Sequence, residues 1–158
     1  MATALLIVHG LVAVVLIGGL THQAMAACWP AKQTAGEGRG FFASFRAVSG
    51  ARYTSVNMVL FLISALLGGA LYPTYRLYVR TYLEAARLWE ANGSFEIKEQ
   101  FVAVGLGMLP LYWYVWREPL AERFRSARAA TTAILCFIVW YGFLVGHVLN
   151  NIRGVFGR

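Results

Sequence analysis

The chain contains no aspartate, and all seven of its acids are glutamate. Without Asp in an apolar run, or Lys at the middle of one, the usual ionisable carriers of an ion pump are missing. Only two cysteines occur, Cys28 just beyond the first apolar run and Cys136 within the last. Two thiols at different depths make neither a disulfide framework nor a CxxC zinc site. There is no P-loop, GxSxG or HExxH motif, and the glycines of residues 36–40 follow no strand, which removes the motif-based classes of phosphate, acyl and zinc-peptide chemistry. Charge is scarce too. Only 13% of the residues are charged, too few for a soluble chain of 158 residues to cover itself with polar surface.

What is present is apolar and segregated. Hydrophobic residues make up 59% of the chain, the mean hydropathy is +0.58, and the charges cluster between uncharged runs, as a hydrocarbon slab imposes. The net charge of +7 would suggest nucleic acid in a soluble protein. Here nearly all the arginines flank apolar runs, where they meet lipid phosphates, so membrane lipids and not nucleic acid are the expected partners.

The expected fold class is all-α: one domain, an integral membrane four-helix bundle with spans at about 4–26, 55–79, 97–116 and 129–150. About 20 residues rising 1.5 Å each cross a 30 Å core, and each run is long enough. Ala24-Met25-Ala26 has the small-x-small form of a signal cleavage site, but no Lys or Arg precedes the run and it is long for a signal core, so it is read as retained. Residues 29–53 read as an interfacial connection, with a short amphipathic helix expected at Phe41–Val48. Past the second span, Tyr75, Tyr78, Tyr82 and Trp89 interleave with Arg76, Arg80, Arg87, Glu84 and Glu90, predicting an amphipathic helical extension. Asn92-Gly93-Ser94 is expected to stop it, with Ser94 capping the next helix. Tyr112-Trp113-Tyr114-Val115-Trp116 reads as an aromatic belt.

Four spans put both termini on one side. Six basic residues fall there (Arg76, Arg80, Arg87, Lys98, Arg153, Arg158) and eight on the other. The dense basic connection 117–128 weights the termini outside the cytoplasm, with a bacterial inner membrane the expected location.

All three histidines fall in apolar runs, where ionisable groups are costly and are functional candidates by default. His9 and His22 are 13 residues apart on one helix, about 20 Å along its axis, and cannot share a ligand. His9, about 7 Å inside the first span, and His147, about 5 Å inside the end of the fourth, lie at one depth. Gly10 and Gly146 adjoin them, and Gly142–Gly146 is a GxxxG stretch that permits close packing or leaves room for a flat macrocycle. Gly68, Tyr72 and Arg76 run along one face of the second span towards the same boundary. These residues suggest a b-type haem between spans one and four, with axial His9 and His147 and propionates on Arg76, Arg80 or Arg153. A transition-metal site of His9, His147, Glu96 and Glu99 is the alternative ligand set. Structural histidines in a non-catalytic accessory or assembly subunit of a larger membrane complex are the plain reading. At the opposite boundary Thr21, His22 and Gln23 lie near Thr54, Ser55 and Asn57, a polar group suited to a quinone headgroup or simply to an interface. The first run, with His9, Ala13, Gly18 and Gly19, resembles the leading helix of small bacterial membrane families such as copper-resistance-type and cytochrome b-like bundles. That likeness covers one helix and implies no particular activity. The expected role is electron transfer with quinone or a partner protein.

Overall fold

The computed structural model describes residues 2–29, 50–117 and 121–156, with side chains to residue 152. Four long helices account for most of them. They are α1, Ala2–Cys28; α2, Ala51–Ala85; α3, Trp89–Trp116; and α4, Arg125–Phe156, entered through a 3-10 turn at Glu122–Phe124. α1 packs on α2 and α4, and α3 packs on α4 and α2, so the helices stand at four corners. Neighbours are antiparallel: Gln23 near the end of α1 meets Thr54 near the start of α2, while His9 meets Gly68. One end of the bundle therefore gathers the start of α1, the end of α2, the start of α3 and the end of α4. We call this the terminal end, and the other the connection end.

Three stretches, Ala2–Cys28, Ala51–Ala85 and Glu122–Ile152, are long and apolar enough to cross a membrane. The run expected at 97–116 is not among them, because Lys98, Glu99, Gln100 and the Tyr/Trp cluster dilute it. Most of the interfacial connection 29–53, including its expected helix, lies outside the described residues. So does the side chain of Arg153.

Along their apolar stretches the helices expose hydrophobic side chains as well as burying them. Ile7, Leu11, Val15, Leu66, Val104 and Phe137 are each more than half exposed. Inside, Leu16 and Leu20 of α1, Phe61 of α2, Leu109, Tyr112, Val115 and Trp116 of α3, and Leu135 and Ile138 of α4 form one cluster. Gly105 admits the Phe61 ring: a Cβ there would sit 2.5 Å from Phe61 Cζ.

α2 is α-helical to Thr74 and again from Arg80, with a π-helical stretch at Tyr75–Val79. Pro73 accounts for the change, since it has no N–H to give and its ring crowds the preceding turn. The Arg80 amide then reaches back to the Tyr75 carbonyl. The chain reverses earlier than the sequence suggests. Arg87 takes the left-handed conformation (φ 57). The Leu88 amide donates to the Leu83 carbonyl (2.8 Å) and the Arg87 amide to Glu84 (3.1 Å), the Schellman pattern that ends a helix. Asn92-Gly93-Ser94, expected as the break, lies inside the first turns of α3, and Ser94 Oγ donates to the Glu90 carbonyl (2.7 Å) instead of capping. Tertiary contact decides this: Tyr75 donates to Asn92 Oδ1 (2.9 Å) and stacks on Phe95, holding α2 and α3 as a hairpin.

Candidate functional site

The terminal end gathers most of the residues singled out in sequence, though not in the expected pairing. His9 turns towards α2, with Cε1 3.6 Å from where a Cβ on Gly68 would lie. The Ser64 backbone is a hydrogen-bonding neighbour of its ring, and Lys98 is close enough to act on it electrostatically. Nδ1 of this imidazole is buried without a partner.

Lys98 had been counted among the charges flanking a span. Because α3 begins at Trp89, it falls in the third turn and its side chain runs across the bundle. Cγ and Cε lie 3.8 and 3.9 Å from the Cβ position of Gly142, and Nζ lies 3.5 Å from that of Gly146. The ammonium is 5.1 Å from the centre of the Phe95 ring. The GxxxG stretch thus receives a lysine stem.

His147 is exposed, its ring stacked on Phe143 one turn back (6.2 Å, 11°). It belongs to the α4 stripe of Cys136, Trp140 and Phe143, which faces α1 where Trp140 donates to Thr21 Oγ1 (2.9 Å) and Cys136 lies 3.7 Å from the same atom. The structure therefore places His9 inside the bundle and His147 at the outer seam of α1 and α4, at the same end but without a common interior. Nothing approaches within 4 Å of a Cβ built on Gly10, so that seam is open beside it.

Around them, Arg76 donates to the Tyr72 hydroxyl (2.9 Å). Arg80 binds Glu84 (2.7 Å) and lies 3.6 Å from Glu96. Glu96 also faces the Asn92 amide (3.4 Å). Glu99 is half-buried. Among the described residues no three His, Cys, Asp or Glu side chains come together as a metal-ligand group, and the set of His9, His147, Glu96 and Glu99 is not assembled.

The connection end holds a second polar group, deeper than its sequence suggested. Gln23 is fully buried. Its Nε2 donates to the Gly50 carbonyl (2.9 Å) and to Thr54 Oγ1 (3.2 Å), and its Oε1 accepts from Asn57 Nδ2 (2.8 Å) and from the Tyr112 hydroxyl. Asn57 Nδ2 also faces Tyr112 (3.4 Å), while its Oδ1 is buried without a partner against Gly19, where no Cβ would fit. Nearby, Trp116 Nε1 donates to Thr132 Oγ1 (2.9 Å), and Arg128, almost fully buried, donates to the Ala121 carbonyl (2.8 Å). The Gln23 network joins α1, α2 and α3, and the separate Trp116–Thr132 bond ties α3 to α4. His22 leans instead on the Tyr53 ring (5.3 Å), and Thr21 serves α4. Cys28 and Cys136 are both free.

Sequence reasoning missed Lys98, Tyr112 and Trp116 as interior polar residues. The signal was present for two of them: Gly105, Leu109, Tyr112 and Trp116 recur at helical spacing and mark the inward face of α3, so the belt Tyr and Trp divide between inside and outside. No protein family, curated protein or solved structure matches this chain.

Proposed function

We propose that the chain is an integral protein of a bacterial inner membrane, crossing the bilayer four times with both termini outside the cytoplasm, and that it is a redox subunit holding b-type haem at its terminal end. Its apolar residues face outward on every helix, as lipid requires. α3, with 28 residues, is about 42 Å long and confines its charges to the stretch before Gln100. A fourth crossing therefore needs only that this charged stretch lie at the headgroups.

The observation that carries the redox assignment is the His9 imidazole. Its Nδ1 is buried without a hydrogen-bond partner, an imidazole nitrogen left available for a metal. Haem supplies the electron change when bound. His9 would hold the iron through an imidazole nitrogen, and Lys98 and Arg76 would offer cations to the carboxylate arms. Because His147 is exposed and Lys98 lies across the groove at Gly146, single ligation by His9 is favoured over a His9–His147 pair.

The test is a reduced-minus-oxidised absorption spectrum of the detergent-purified protein and of His9→Gln and His147→Ala, with helicity followed by circular dichroism. A b-type spectrum lost in His9→Gln and kept in His147→Ala is expected. A folded protein that carries no haem, or keeps it fully in His9→Gln, overturns the proposal and leaves an accessory subunit, recognised by co-purification with larger chains.

A further inference from the structure

At the connection end, away from His9, the first turn of α2 and the last turn of α3 enclose a cleft of about 400 Å³, lined by Arg52, Thr54, Ser55, Trp113, Trp116 and Arg117. Arg52 of α2 and Arg117, just past the end of α3, both line it, and no carboxylate among the described residues does. The first turn of α2 carries no acid, and none of the ion pairs among the described residues includes either arginine. The Arg117 guanidinium rests over the Tyr114 ring, 4.5 Å from its centre, which holds it without neutralising it.

The Trp116 wall is built, not incidental. Its indole N–H is fixed on Thr132, its ring fills the space that a Cβ on Gly50 would take, and the Arg128 guanidinium stands 5.9 Å from its centre on the α4 side. Thr54 at the floor is held by Gln23. Two forked donors, a serine hydroxyl and a pair of indoles match an anion with planar or tetrahedral oxygens joined to an apolar body. On a membrane protein the boundary level of such a belt is where headgroups lie.

We propose that this cleft binds a phosphate ester, the Arg52 and Arg117 guanidinium groups taking the phosphate oxygens and the Trp113 and Trp116 faces flanking the rest. Two sources share that chemistry, the phosphodiester of an anionic phospholipid and a soluble organic phosphate.

The experiment is native mass spectrometry of the full chain released from neutral detergent, with phosphatidylglycerol, phosphatidylcholine, glycerol phosphate and inorganic phosphate offered separately. Arg52→Gln, Arg117→Gln and the double variant are compared with Arg125→Gln, whose arginine is exposed on another turn. Retention of phosphatidylglycerol over phosphatidylcholine, weakened about tenfold or more in the double variant and unchanged in Arg125→Gln, is expected. Capture of glycerol phosphate with the same dependence supports the site and assigns the soluble source; capture of lipid alone assigns the bilayer. Equal retention of both lipids with no soluble phosphate bound, or an equal loss in Arg125→Gln, overturns it. Both arginines are exposed and leave the core intact when replaced, and the His9 spectrum is independent of them, so the two proposals fail separately.

Discussion

Gln23→Met removes a buried carboxamide while keeping its volume, and so isolates the connection-end network. Gln23 makes four hydrogen bonds, two from Nε2 and two to Oε1. In a membrane bundle each such bond is worth about 0.6 kcal/mol, so four give about 2.4 kcal/mol. In a water-excluded soluble core four stranded partners at about 1 kcal/mol each would give about 4 kcal/mol. Asn57 and Tyr112 stay within 3.4 Å of one another and re-pair in part, which places the expected loss at about 2–3 kcal/mol. Asn57→Leu should cost about half as much, because the Asn57 carbonyl is already without a partner. The measurement is reversible unfolding in mixed micelles by titration with a denaturing detergent, followed by far-ultraviolet circular dichroism. A double-mutant cycle with Tyr112→Phe should return a coupling of about 0.5–2 kcal/mol. A Gln23→Met protein within about 0.5 kcal/mol of the parent, or strict additivity with Tyr112→Phe, would refute the claim that this network clamps α1, α2 and α3.

The same assay checks four further substitutions. Gly19→Ala drives a methyl into Asn57 Oδ1 and should cost about 1–3 kcal/mol, whereas Gly10→Ala, with open space around it, should change little. Arg87→Gly relieves a left-handed arginine at a helix end and should stabilise by about 1 kcal/mol; a loss would mean that the arginine side chain holds the turn. Lys98→Met keeps an unbranched stem over Gly142 and Gly146 and removes an interior charge, so it should stabilise by about 1 kcal/mol or more while lowering haem occupancy in the absorption spectrum. A Lys98→Met protein less stable than the parent would show that the ammonium has a structural partner.

Much of the architecture was legible because hydropathy is a local property. Three long uncharged runs lead to long apolar helices whatever their neighbours do. The even helix count, which sets His9 and His147 at one end, follows from the same pattern. The face a side chain presents is not local. His147 and Gly146 are adjacent in sequence, but a 100° step separates them, and the packing of α4 on α1 turns His147 outward while Gly146 receives Lys98.

The reversal between α2 and α3 shows the other limit. Local signals mark Asn92-Gly93-Ser94 as a stop, yet a residue with little left-handed preference, Arg87, makes the turn. Seating Asn92 and Phe95 against Tyr75 outweighs the cost of one unfavourable backbone conformation. That shift carries α3 further towards the terminal end and brings Lys98 into the bundle. By itself the sequence determined that the chain is helical, apolar and poor in charge. Only the tertiary structure decided which of its few polar groups face inward, because that choice depends on helix rotation set by contacts made across the bundle.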